Sequence, residues 1–485
     1  MSAQLSQVDH IVVLMLENRS FDSLLGRLYP KSDGFNGLTG AENNPDDKGV
    51  PIPVWNQPGT DDVTMSIPDP DPGELFADIN TQLFGSPQIP AAGAVPTMHG
   101  FVKSYANQVD RGGAPVRCDP KAVMHYYSPE QVPVLSQLAR QFAVCDQWHA
   151  SAPCQTWPNR FFVHTGTANG YENNSPTHFP YEMPTIFTRF NHLGLNDAWR
   201  IYFHDVPQSL ALSDLWPHAR QFRLFAEFTK DAANGELPSY SFIEPRYFPD
   251  VDLPNDQHPP HVVTLAEQLI ADVYNSLRNG PGWTRTLLVV TYDEHGGNHD
   301  HVPPPAATPP SGSATTPFNF DRYGVRVPVV LISPYIAPGT VIRAPVGAPV
   351  FDHTAIIAAV RARFSLGAPL SSRESAAPDL GAVLTLAEPT NLGPTQIEAL
   401  PFVATPGGIA RARLEPLNGM QEALTKLAAH LPMLSAGDDF LSKVQSHIST
   451  LKAMVEQLLP PSTINTRADA LHFIKGKLDA FFRAC

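Results

Sequence analysis

Thr286-Leu-Leu-Val-Val-Thr-Tyr292 runs directly into Asp293-Glu294-His295-Gly296-Gly297-Asn298-His299-Asp300-His301. The first seven residues are apolar and rich in branched types, so they read as a buried strand. The acids and histidines then fall just beyond its carboxyl end, where open α/β sheets place their ligands. Carboxylates and imidazoles packed this densely repel one another or compete for protons unless a cation satisfies them. Gly296 and Gly297 permit a tight turn and a close approach of backbone to a ligand. The pattern points to metal-assisted chemistry carried by Asp293, Glu294 and His295, with Asp300 and His301 as further candidates.

A second buried strand reads at His10-Ile-Val-Val-Leu-Met-Leu16, and it ends in Glu17-Asn18-Arg19-Ser20-Phe21-Asp22. Further short strands are predicted at 200–204, 240–244 and 327–332, with another strand end near 144–148. Helical spacing is predicted at 135–143, 262–277 and 354–364; Leu265, Leu269, Val273 and Leu277 form the stripe of the second. Strands alternating with helices predict an α/β fold around a mainly parallel central sheet. Residues 43–96 are rich in Pro, Asp and Gly without periodicity, and read as a long excursion lining a cleft. Residues 302–317 read as a loop walling the site. The chain divides into 1–380, a catalytic unit, and 381–485, a mostly helical extension. In the extension Phe440, Val444, Ile448, Leu451, Val455 and Leu458 form one stripe, capped by Asp438 or Asp439 and stopped by Pro460-Pro461. A similar pattern spans 466–483. These stripes are expected to pack in the core rather than to meet a partner or a membrane.

The 485 residues are 42% hydrophobic, which makes the chain globular, and its 50 prolines imply stiff loops. A net charge of -14 argues against a nucleic-acid partner. It leaves room for a phosphorylated substrate, because a metal or an Arg reverses the potential inside one pocket. Cys118, Cys145, Cys154 and Cys485 lack zinc-type spacing. They read as buried free thiols, with a Cys118–Cys145 or Cys118–Cys154 disulfide as the alternative. No basic leader precedes the first strand and no apolar run spans a bilayer. The expectation is a cytoplasmic protein, one exported without a classical signal, or one already processed.

Three other places carry chemistry. Glu17 and Asn18 set a carboxylate beside an amide oxygen at a strand end, which suits a hard divalent cation. Ser151-Ala-Pro-Cys154-Gln155-Thr156-Trp157-Pro158-Asn159-Arg160 contains two nucleophiles. A hard cation held by carboxylates activates a hydroxyl better than a thiol, so Thr156 is preferred over Cys154. Arg160 is placed to pair a phosphate oxygen. Among the scattered histidines, His258 is the candidate acid, with His99, His204 and His353 behind it.

These motifs, in this order across about residues 8–380, resemble a phosphoesterase family. It includes phosphatidylcholine-type phospholipases C, plant non-specific phospholipases C and a respiratory-burst-inhibiting acid phosphatase. The matching pieces are Glu17-Asn-Arg-Ser-Phe-Asp22, Thr156-Trp-Pro-Asn159-Arg160, His258-Pro-Pro, Asp293-Glu-His-Gly-Gly297 with Asp300-His301, and Phe351-Asp-His353-Thr354. The resemblance implies an alkaline-phosphatase-like three-layer sandwich. It implies that Glu17, Asn18, Asp293 and Glu294 hold a divalent metal; their oxygen-rich ligands point to Mg, Ca or Mn, and histidine participation would admit Zn or Fe. It also implies that Thr156 attacks phosphorus and forms a phospho-threonine. His258 and His295 would protonate the leaving group or hold phosphoryl oxygens, with Asn159 and Arg160 at the same centre. The family's lipases and phosphatases share these motifs, which do not choose the substrate; the preferred reading is a phospholipid, split into diacylglycerol and a phosphorylated head group, with room for transient membrane-surface contact. A soluble phosphomonoester is the nearest alternative, and a non-catalytic effector acting through the C-terminal helices is a third reading. Some bacterial relatives carry an export signal and a β-rich C-terminal domain, and the chain shows neither pattern.

Overall fold

The computed structural model describes residues 3–91, 93–109, 113–175, 179–310, 318–434, 439–453 and 458–483. Asp438, Val455, Cys485 and the 311–317 part of the wall loop lie outside the described residues.

The strands are β1 (His10–Leu16), β2 (Asn43–Pro45), β3 (Pro51–Pro53), β4 (Ala143–Cys145), β5 (Trp199–Phe203), β6 (Phe222–Leu224), β7 (Tyr240–Glu244), β8 (Thr286–Tyr292), β9 (Val329–Ile332) and β10 (Thr340–Ile342). β2 and β3 pair as a small ribbon within the excursion, and the other eight form one sheet ordered β10-β4-β9-β8-β1-β7-β5-β6. Pairing is parallel except where β9 runs antiparallel to β8 and β4. β1 and β8 are almost wholly buried, as continuous apolar runs in a sheet covered on both faces must be.

Helices cover both faces. On β7 and β5, Tyr240 and Phe242 point to one side; Phe187 of the helix Ile186–His192 stacks on Tyr240, and His164 of the helix Thr156–Thr165 meets Phe242 edge-on. Tyr202 pairs in register with Ile243, so it points to the other side, and there it meets Phe228 of the helix Phe225–Asn234. The helices Pro133–Gln141 and Val263–Asn279 complete that second layer. The result is a three-layer α/β/α sandwich.

The C-terminal part is helical, with segments Pro406–Leu414, Gly419–His430, Phe440–Ala453 and Arg467–Arg483. Leu424, Leu427, Val444, Leu471, Ile474 and Phe481 join the same apolar core as the sheet. Phe482 stacks on Phe203 at 5.7 Å, and Gln421 donates to the Tyr247 carbonyl at 2.9 Å. The stripe therefore packs inward. Asp439 is the acid at the start of its helix, accepting from the Ser442 N–H at 3.5 Å. No helix among the described residues is long and apolar enough to cross a membrane.

Cys118, Cys145 and Cys154 are free, which rules out both suggested disulfides, and Cys118 is half-buried rather than enclosed.

Register positions the site. Leu16 pairs with Tyr292, so β1 and β8 end level, and the Asp293 N–H donates to the Leu16 carbonyl at 3.2 Å. The residue after each strand is a carboxylate, and Glu17 is thereby brought beside Asp293.

Candidate active site

The two strand ends interlock through backbone. Asn18 takes a left-handed conformation at φ 54°, and Gly296 opposite it sits at φ 57°. A Cβ at Gly296 would lie 2.4 Å from the Asn18 carbonyl oxygen, so only glycine fits there. The Asn18 and Glu294 N–H groups both donate to Asp293 Oδ1, at 2.9 and 2.7 Å, and the Gly296 N–H donates to Glu294 Oε2 at 2.8 Å. One oxygen of each acid is thus consumed by the turn. The others, Asp293 Oδ2 and Glu294 Oε1, are buried with no hydrogen-bond partner among the described residues.

Thr156 opens the helix Thr156–Thr165, and its Oγ1 lies 3.4 Å from both Glu17 Oε2 and Asn18 Oδ1. Arg160, one turn on, donates from Nη2 to Glu17 Oε1 and to the Met15 carbonyl, and its Nε lies 3.9 Å from Asp293 Oδ2. Its Nε and Nη1 are buried and have no hydrogen-bond partner among the described residues. Burial disfavours the guanidinium charge, but Tyr247, Glu17, Asp293 and Glu244 outweigh it and hold Arg160 firmly protonated.

Burial and then Asp293 push the Glu17 carboxyl up to about 8, against Arg160 and His258. Burial, Glu74 and Asp293 push Glu294 well above the carboxylate range. Three acids crowded out of water share one cation, Arg160, and Asp293 Oδ2 and Glu294 Oε1 have no hydrogen-bond partner among the described residues. Glu17, Asn18, Asp293 and Glu294 offer the all-oxygen set that a hard divalent ion takes, and the residues therefore fit the implied metal.

His258 stands next to Asn18, with Nε2 3.1 Å from Asn18 Nδ2 and Nδ1 2.8 Å from the Pro259 carbonyl. That arrangement puts the proton on Nδ1 and a lone pair on Nε2. Burial opposes a second proton, but Asp71, Glu74, Asp256 and Glu17 push the imidazole up to about 10, which makes Nε2 a ready proton acceptor. Asp71 lies 3.7 Å from Nδ1, and Asp256 accepts from the His258 N–H at 3.1 Å and from His261 Nδ1 at 2.7 Å.

Several expectations change. Asn159 contacts no reacting group: it accepts from the Ala152 N–H and donates to the Ala152, Cys154 and Gln155 carbonyls, which knots the turn before Thr156. His295 Nε2 bonds Gln82 Oε1 at 2.7 Å, Nδ1 lies 3.1 Å from Glu294 Oε2, and burial pulls the ring down to about 3. It packs beside the centre as a neutral ring. His353 donates from Nε2 to the Asp293 carbonyl at 2.7 Å and accepts from Trp148, so it supports the strand end. His204 stacks on Phe225, and His99 is exposed. Cys154 is fully buried, and burial raises its thiol well above the usual range, so it is no nucleophile.

Asp300 and His301 belong to another cluster. With Asp22 they form the tightest grouping of ligand-type side chains among the described residues. Arg326 already fills it, donating from Nε to Asp300 at 2.9 Å and from Nη2 to Asp22 at 2.9 Å, while His301 Nδ1 bonds Asp22 at 2.7 Å. A metal held by these three side chains would compete with a buried guanidinium.

Sequence reading missed Glu74, Gln155 and Gln208. Gln208 donates to Glu17 Oε1 at 2.8 Å, and Glu74 binds both Asn18 and Gln155. The lining role predicted for residues 43–96 was the one available signal for Glu74.

A family model described as "Phosphoesterase family" matches residues 8–367. Non-specific phospholipase C6 of Arabidopsis thaliana is 36% identical over 99% of this chain and 88% of its own length. Phospholipase C A of Mycobacterium tuberculosis is 26% identical over 80% of this chain and 79% of its own. A solved structure of a protein in the alkaline phosphatase superfamily from Vibrio parahaemolyticus aligns with a TM-score of 0.30 and 11% identity, over 51% of this chain and 63% of that one.

Proposed function

This chain belongs to the phosphoesterase family and is a phosphoric ester hydrolase, and we propose that it acts as a phospholipase C on glycerophospholipids through a phospho-Thr156 intermediate. The observation that carries the reading is the placement of Thr156 Oγ1 against Glu17 and Asn18, beside Asp293 and Glu294 oxygens with no hydrogen-bond partner among the described residues.

Glu17, Asn18, Asp293 and Glu294 would hold a divalent cation, whose charge would polarise the phosphoryl group and acidify the hydroxyl. Thr156 Oγ1 attacks phosphorus, and Glu17 Oε2, at 3.4 Å, is the acceptor at hand for its proton. The unpartnered Nε and Nη1 of Arg160 donate to phosphoryl oxygens as their charge grows. His258 delivers a proton to the departing diacylglycerol oxygen. It then withdraws one from the water that frees Thr156, which makes it acid and base in turn. Transient contact with a bilayer belongs to this reading, and the net charge of -14 disfavours anionic surfaces, so zwitterionic phospholipid is the preferred substrate.

Acid-quenching the enzyme on phosphatidylcholine and mapping phosphate by mass spectrometry should place it on Thr156. Thr156→Ala should lower kcat by about a thousandfold or more, whereas Thr156→Ser keeps most of it. Turnover that survives Thr156→Ala would sink the mechanism. A strong preference for an aryl monophosphate over phosphatidylcholine would sink the lipid assignment.

A further inference from the structure

Glu74 comes from the long excursion, just ahead of the helix Phe76–Phe84, and only 7% of it is exposed. Its Oε2 accepts from Asn18 Nδ2, and its Oε1 accepts from Gln155 Nε2 at 2.9 Å. Gln155 is the residue before Thr156, and its own Oε1 accepts from the Asn174 N–H at 3.1 Å. One carboxylate thus ties the end of β1, the nucleophile turn and the excursion together.

The tie decides which way the Asn18 amide faces. A carboxylate only accepts, so the Nδ2 end must point to Glu74 and the Oδ1 end is turned to Thr156 Oγ1. Reversed, the amide would set Oδ1 against the carboxylate oxygen, two buried acceptors in contact. It would also present Nδ2, which has no lone pair to give a metal, to the nucleophile. His258, the other neighbour of Nδ2, favours the same orientation while its proton is on Nδ1, but it gains and loses the Nε2 proton during turnover, whereas Glu74 accepts throughout.

We propose that Glu74 is a positioning residue for the reaction: it orients the Asn18 amide so that Oδ1 serves the metal and the nucleophile, and through Gln155 it steadies the turn that presents Thr156. The inference rests on the phosphoesterase reading, since it takes Asn18 as a metal ligand. It assigns Glu74 a role as acceptor rather than as charge. In Glu74→Gln the new amide can still accept from Asn18, but its Nε2 then meets Gln155 Nε2, donor against donor.

The test uses the full chain, with Mn²⁺ alone titrated calorimetrically and with turnover of phosphatidylcholine in mixed micelles. Glu74→Gln should weaken Mn²⁺ binding by about tenfold or more, as loss of a partner behind a metal ligand does. At saturating Mn²⁺ it should lower kcat more than it raises KM. The Asn18→Asp, Glu74→Gln double variant exchanges amide and carboxylate, and should regain most of the Mn²⁺ affinity that the single change loses. Gln155→Leu leaves the Asn18 contact intact, so it should lower kcat with Mn²⁺ affinity kept; it reads the proposal even if Glu74→Gln does not fold. The proposal is overturned if Glu74→Gln changes neither affinity nor kcat by more than about twofold, or if the double variant recovers nothing. A wild-type chain that binds Mn²⁺ but turns over no phosphoester would instead defeat the functional reading, and leave the calorimetric comparison standing.

Discussion

Gly296 and Asn18 meet back to back, each with positive φ, at the point where the two metal-side motifs join. An added methyl at Gly296 would lie 2.4 Å from the Asn18 carbonyl oxygen and 2.5 Å from its Cβ, and neither neighbour can yield without moving the proposed ligand. At Gly339, φ is 71° but nothing lies within 4 Å of the added atom. Gly339→Ala should therefore cost only the left-handed backbone strain, about 1–2 kcal/mol. Gly296→Ala should cost at least about 2 kcal/mol more in urea unfolding, and lose most activity even where the protein remains folded. Equal losses at the two sites would mean that the contact is not tight. The glycine pair was legible as a close approach. What it approaches, the backbone of the other motif, was not, because strand register is absent from a local pattern.

At the scale of elements, β1 and β8 were legible because short apolar runs ending abruptly in acids have few other solutions. The direction of β9 was not, since a buried run reads the same in either sense. The excursion was seen only as a cleft wall. Its Pro, Gly and Asp residues carry no period, so nothing distinguished the acids that reach the centre, Glu74 and Asp71, from the other acids of the excursion. The separation of Asp300 and His301 from the Thr156 centre was hidden for a related reason: their cationic neighbour, Arg326, lies 26 positions on from Asp300, ahead of β9. That guanidinium is fully buried, bridges Asp22 and Asp300 and lies over the Phe21 ring at 4.5 Å. Arg326→Met should leave Asp300 without its buried cation and Asp22 with His301 alone, and cost about 3–5 kcal/mol. The thermal midpoint should fall steeply with divalent metal present or absent. Full rescue by added metal would show instead that the cluster binds a cation.

Across the whole molecule, buried titratable groups of two kinds set opposite slopes of stability with pH. Burial holds His125, His149 and His164 at about 3, below their ordinary 6.5. Between those values the unfolded chain takes up protons that the folded chain refuses, so their contribution is complete above 6.5 and is lost as pH falls. Burial pushes Glu267 up to about 8, although it accepts from the Val134 and Leu135 N–H groups, and it pushes Asp205 up to about 7. Here the folded chain keeps protons that the unfolded chain has released, so stability is lost as pH rises from the ordinary carboxylate range toward those values. The two trends oppose each other between about 4.5 and 6.5 and act singly outside that window. The urea midpoint should therefore peak inside it, with an acid limb owed to the histidines and a neutral limb owed to the buried acids. His164 packs between Phe187 and Phe242 with Nδ1 unpartnered, so phenylalanine fits its place. His164→Phe should flatten the acid limb by up to about 1.4 kcal/mol per pH unit and leave the neutral limb alone. Glu267→Gln should do the reverse. A His164→Phe profile parallel to wild type below pH 6.5 would mean that this imidazole is protonated in the folded chain, and the histidine side of the argument would fall with it.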